Sequence, residues 1–78
     1  MTTWREEILK CLQKHNEKWD DIIYRTLTEE ELDDCQSPFA FTIWTNNRVY
    51  FMCVYDGVEW VESVARNPCS EKMRVGGE

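Results

Sequence analysis

Between residues 39 and 65 apolar side chains fill three runs, separated by Asn46-Asn47 and Asp56-Gly57. Both dipeptides tolerate the positive φ of a two-residue hairpin turn, so the pattern predicts three antiparallel strands at about 39–45, 48–55 and 58–65. Turning at Asp56-Gly57 sets Tyr55 opposite Val58, Cys53 opposite Trp60 and Val49 opposite Val64. Turning at Asn46-Asn47 sets Trp44 opposite Val49 and Ile43 opposite Tyr50. Strict alternation then gives one face with Trp44, Val49, Phe51, Cys53, Tyr55, Val58, Trp60 and Val64. The other face carries Phe39, Phe41, Ile43, Tyr50, Met52, Val54 and Val61. An antiparallel sheet usually has one apolar face and one wet one, and two apolar faces ask for two covers.

Upstream, Trp4, Ile8, Cys11, Leu12, His15, Trp19, Ile22 and Ile23 recur at helical spacing with charged residues between them, which predicts a helix across residues 1–25. Thr3 and Glu6 are spaced as a capping box. His15-Asn16 and Asp20-Asp21 are two places where this helix can end early. Thr28-Glu29-Glu30-Glu31 is a second capping box, opening a short acidic helix over 28–35 before Ser37-Pro38. Arg66-Asn67-Pro68 ends the last strand, and 69–78 reads as a flexible tail. The expected fold is therefore a single α+β domain, with the N-terminal helix and a short second helix packed on a three-stranded antiparallel meander. Ile8, Leu12 and Trp19 are expected to cover the face of Phe51 and Trp60, making those two rings core. The face of Phe39, Phe41, Ile43, Tyr50, Met52 and Val61 then stays open as a partner-binding surface. Such a patch exceeds the roughly 300–600 Å2 of the largest one on a typical monomer. A twofold homodimer using it twice is the simplest way to close it.

Charge narrows the partners. The 78 residues carry 15 acids against 9 bases, a net charge of −6, concentrated in the first half. That balance disfavours direct binding to nucleic acid or to an anionic membrane. No apolar run approaches the roughly 20 residues of a membrane helix, and the N-terminus lacks a secretory layout, so a cytoplasmic protein is expected. Glu29, Glu30, Glu31, Asp33 and Asp34 form a second candidate binding surface, one that could imitate a phosphate backbone and block a nucleic-acid enzyme. The commoner outcome for such a run is a solvated, well-capped helix.

Candidate chemistry is sparse. Cys11 and His15 are spaced to share a helical face, and Cys35 and Cys69 could complete a metal site. The four come from unrelated segments, so a packed pair and reduced thiols are expected, with no metal and no cofactor. Asp20-Asp21 and Asp33-Asp34 are adjacent pairs whose side chains diverge, there is one His, and no glycine-rich phosphate loop exists. No catalytic residue is assigned and the protein is expected not to be an enzyme. The aromatic strands lack the basic surround of a single-strand platform, and Gly76-Gly77 does not make a ubiquitin-like end on this element order.

The stretch Phe41-Thr42-x-Trp44-Thr45-x-x-Arg48-Val49-Tyr50-Phe51, continued by Tyr55-Asp56-Gly57-x-Glu59-x-Val61-x-Ser63-x-x-Arg66-Asn67-Pro68, resembles a signature of small uncharacterised proteins of bacteriophages and prophages. The resemblance covers about a third of the chain and brings no catalytic residues. It implies a genomic setting rather than a mechanism; small acidic phage proteins often bind and disable host proteins, so a non-enzymatic modulator or inhibitor of a host-cell protein is expected.

Overall fold

The computed structural model describes residues 3–34 and 40–73. Its elements run α1 (Trp4–Lys14), a 3-10 turn (Trp19–Asp21), β1 (Ile22–Arg25), α2 (Glu29–Leu32), β2 (Thr42–Thr45), β3 (Arg48–Tyr55) and β4 (Val58–Ala65). The fold is α+β, with an antiparallel sheet of four strands in the order β1-β2-β3-β4. The expected meander is present as β2, β3 and β4, and an extra strand joins its edge.

That extra strand comes from the predicted helix 1–25, which stops eleven residues short, at Lys14. The stop is a Schellman motif. Asn16 takes the left-handed conformation at φ 59°, the Glu17 N–H reaches back to the Leu12 carbonyl at 2.9 Å, and the Asn16 N–H to that of Gln13 at 3.1 Å. Ile22 and Ile23, which fit the helical stripe in period, are β-branched and lie with Tyr24 in a strand instead, in which Ile22, Tyr24 and Arg25 pair with β2. A bulge between Ile22 and Tyr24 leaves Ile23 exposed. Both capping boxes form: Thr3 with Glu6, and Thr28 with Glu31. The helix expected over 28–35 is a single turn, Glu29–Leu32.

Register is as the turns predict, with Tyr55 opposite Val58, Cys53 opposite Trp60, Val49 opposite Val64, Ile43 opposite Tyr50 and Trp44 opposite Val49. The two turns reach it differently. Asp56 and Gly57 both have positive φ, at 52° and 80°. Asn46 and Asn47 do not; that turn is closed by the Thr45 hydroxyl, which accepts from the N–H groups of Asn47 at 3.2 Å and Arg48 at 3.0 Å.

The largest correction concerns which face the helices cover. Trp4, Ile8, Cys11 and Leu12 of α1 form one core with Leu27, Leu32, Phe41, Ile43, Tyr50 and Val61. Met52 packs half-buried against the same cluster. Phe41, Ile43, Tyr50, Met52 and Val61 are thus beneath the helices rather than open to a partner, while Phe39 lies outside the described residues. Phe51 and Trp60, expected to be core, are half-buried on the solvent side. The polar neighbours explain the choice. Phe51 stands opposite Thr42 on one side and Glu62 on the other, so a helix over this face would take the Glu62 carboxylate out of water. On the covered face the central pairs are Ile43 with Tyr50 and Met52 with Val61.

Large-to-small substitution separates the two faces. Leu12→Ala, at a fully buried position, is expected to cost about 2–5 kcal/mol, and Trp60→Ala distinctly less. Urea unfolding followed by circular dichroism reads both; equal losses would contradict this assignment of the core.

Candidate functional site

Three features stand out, and each draws on different elements. The first is the solvent side of the sheet. Alternation from the observed register places Tyr24, Trp44, Val49, Phe51, Trp60 and Val64 on it. Both helices pack on the opposite side, so no helix or strand among the described residues lies over these rings. Tyr24 is 62% exposed and its ring sits 5.3 Å from that of Trp44. Trp60 donates its indole N–H to Glu62 at 2.9 Å, which fixes the indole on the face. Towards the hairpin tip Tyr55 and Val58 are more than half exposed.

The second feature is the polar end of the core. The Schellman turn carries Glu17 inward, and it is only 7% exposed. Its carboxylate accepts from the Thr45 hydroxyl at 2.9 and 3.1 Å, from the Tyr50 hydroxyl in a short bond, and from the Asn47 amide at 3.5 Å. His15 lies edge-on to the Tyr50 ring at 6.2 Å, and burial, then the Arg48 charge, lowers its basicity. Arg48 donates to Ser63 at 2.8 Å and pairs with both oxygens of Glu71 at 2.9 Å. A cleft of about 380 Å3 opens beside this cluster, walled by the end of α1, the β2–β3 turn and the segment after β4. The arrangement is a clamp: among the described residues no buried side-chain nitrogen or oxygen lacks a partner. It ties three parts of the chain together at one end of the sheet.

The third feature is the acidic run. Glu29, Glu30, Glu31, Asp33 and Asp34 are all exposed. Arg5 reaches Glu29 at 2.7 Å and Asp33 at 2.8 Å, Arg25 reaches Glu29 at 3.3 Å, and Glu31 is turned back onto the Thr28 N–H. Hydrogen bonding to Arg5 holds the Asp33 carboxyl below its ordinary range. Arg5 also lies 5.3 Å from the centre of the Trp19 ring. The run is therefore partly neutralised by the two arginines beside it, and Glu29 and Asp33 join α2 to α1 and β1.

The three described thiols are free and dispersed, with Cys11 and Cys53 buried and Cys69 exposed, while Cys35 lies outside the described residues. Among the described residues no group of three or more His, Cys, Asp and Glu side chains is placed to hold a metal. Among them, too, no helix is long and apolar enough to cross a membrane. Comparison of the chain with protein-family models, with curated proteins and with solved structures returns no match.

Glu17 is the residue that sequence reasoning missed, because it was counted among the polar positions between helical contacts. Its signal was Asn16, a residue suited to the left-handed stop that redirects the next side chain. Tyr50→Phe removes the hydroxyl that donates to the buried carboxylate and is expected to cost about 1–3 kcal/mol. Burial first, and the bond to Glu17 second, push the Tyr50 hydroxyl well above its ordinary value of 10.0. Stability contributed by the protonated tyrosine is complete below that ordinary value and is lost progressively as pH rises from it through the raised folded-state value. Thermal melts between neutral pH and pH about 11 should show the wild type losing stability more steeply than Tyr50→Phe; parallel slopes would contradict the linkage.

Proposed function

We propose that the protein is a non-enzymatic protein-binding module whose recognition surface is the solvent side of the sheet, centred on Trp44, Phe51 and Trp60. The observation that carries the reading is a row of aromatic side chains on interior and edge strands, opposite a face that is already closed by two helices. Interfaces are enriched in Tyr, Trp and Phe, and their energy concentrates in such anchors at the centre of a patch. Here the rings are held before any partner arrives, Tyr24 against Trp44 and Trp60 by its bond to Glu62. Fixed rings lose little rotamer freedom on docking. The resemblance to small phage proteins supports reading such a module as a modulator or inhibitor of a host-cell protein that acts in the host cytoplasm. The acidic run is the weaker surface for this role, since Arg5 and Arg25 already take part of its charge.

Affinity capture from a bacterial host extract tests the reading with two variants. Trp44→Asp combined with Phe51→Asp, both at half-buried solvent-side positions, is expected to lose the partner. Replacing Glu29, Glu30, Glu31, Asp33 and Asp34 together by Ala is expected to keep it. Capture should also survive a rise in salt that shrinks the Debye length from about 10 Å to about 3 Å, because apolar docking is not screened. A partner lost only with the acidic residues, and released by salt, would point instead to an acidic mimic of nucleic acid.

A further inference from the structure

The observed register puts a single charged side chain on the solvent side of the four strands, that of Glu62; Arg25, Arg48 and Glu59 fall on the helix side. Glu62 is half-buried, with Phe51 directly across on β3 and Trp60 two positions before it on its own strand. Its Oε2 accepts the Trp60 indole N–H at 2.9 Å. Among the described residues Oε1 has no donor and the carboxylate forms no ion pair. The cations of the chain are occupied or aside. Arg66 donates to the Thr45 carbonyl at 2.8 Å, and Arg48 is held by Ser63 and Glu71. Lys10 and Lys14 stand with Glu7 on the α1 side of a shallow groove that Glu62 borders from β4, and Lys10 lies 3.8 Å from Glu7. Solvation of the second Glu62 oxygen therefore falls to water.

A protein seated on Trp44, Phe51 and Trp60 removes that water, as a covering helix would have done. We propose that the partner brings an arginine to this point, its guanidinium lying against the rings of Phe51 and Trp60 and donating to the second oxygen of Glu62; the proposal rests on the reading of this face as the recognition surface. A carboxylate among aromatic rings is complementary to a cation on both counts, through charge and through the ring faces. Arginine suits it better than lysine, because a planar guanidinium can stack on a ring while its edge N–H groups reach an oxygen. The indole bond fixes the carboxylate before contact, so little freedom is lost on docking. The net charge of −6 favours the approach of a basic segment. The pair acts chiefly on specificity: a partner without the cation leaves a desolvated carboxylate held by one indole N–H and is rejected. The occupant is thus a protein segment with an arginine flanked by apolar side chains, which meet Trp44, Val49 and Val64.

Magnetic resonance of the nitrogen-labelled protein reads this contact at the Trp60 indole N–H, identified by its loss in Trp60→Phe. Titration in the millimolar range with acetyl-leucyl-arginyl-leucine amide is expected to shift that resonance saturably. Affinity should be about tenfold higher than for the same peptide with citrulline, an uncharged isostere, in place of arginine. The lysine peptide should fall between the two. Glu62→Gln keeps an acceptor for the indole; it should abolish the preference and leave the citrulline peptide bound as before. The three peptides on the wild type decide the matter even if that variant fails to fold. Arginine and citrulline peptides that bind alike overturn the proposal. So do a lysine peptide equal to the arginine one and a Trp60 resonance that none of the three moves. No host protein enters these titrations, so the two readings fail separately. A partner captured through Trp44 and Phe51, with no arginine preference at Trp60, would remove this contact and leave the recognition surface. An arginine preference with capture indifferent to Trp44→Asp and Phe51→Asp would do the reverse.

Discussion

A carboxylate taken out of water has to be held by donors, and the geometry of those donors then becomes fixed. Glu17 is in that position. It is almost fully buried, and among the described residues it forms no ion pair; hydroxyl and amide groups from β2, β3 and the turn between them hold it. Removing one partner of such a set leaves the other uncompensated, which costs more than the bond itself was worth. The position of α1 over Phe41, Ile43 and Tyr50, the path of the chain into β1, and the closure of the β2–β3 turn all meet at this one side chain. Thr45 serves two of them at once, donating to Glu17 while accepting from Asn47 and Arg48.

The same constraint assigns the two faces of the sheet. A Tyr hydroxyl buried on one face needs an acceptor from the covering layer, and the loop after α1 delivers it within three residues of the helix end. The other face has Glu62 beside Phe51, already engaged by Trp60 and accessible to water. Helix packing there would have had to remove that carboxylate from solvent with only an indole N–H to hold it. Polar residues thus decide which of two apolar surfaces is sealed, while the apolar count alone, eight against seven, favours the wrong one.

Much of the architecture was legible because its signals are local. Two capping boxes, the Asp56-Gly57 turn and the alternation along β3 and β4 each follow from residues a few positions apart, and each is present in the structure. β1 was not legible because Ile22 and Ile23 satisfy the helical period by accident, and of the two early stops the sequence offers, the left-handed turn falls at Asn16. The covered face was misassigned because apolar residues were tallied on each side without Thr42 and Glu62, the two neighbours of Phe51. The candidate site followed that error: the expected patch of Phe41, Ile43, Tyr50, Met52 and Val61 is core, and the surface left over is its mirror. The acidic run was read correctly in place and exposure, but the approach of Arg5 depends on how α1 meets α2, a tertiary fact with no short-range signature.

The β3–β4 hairpin outruns the layer that supports the rest of the sheet. Val54, Tyr55 and Val58 are each more than half exposed around the Asp56-Gly57 tip, so the last turn of the ribbon has water on both sides. A two-stranded ribbon without a packed face is only marginally stable by itself. The free energy of opening must therefore fall along the hairpin, from the level of the whole domain at Tyr50 to nearly nothing at Gly57. Amide hydrogens near the tip would exchange with solvent through local fraying, and those beside α1 only when the domain unfolds. The protein carries, in one continuous pair of strands, a rigid root and a compliant end.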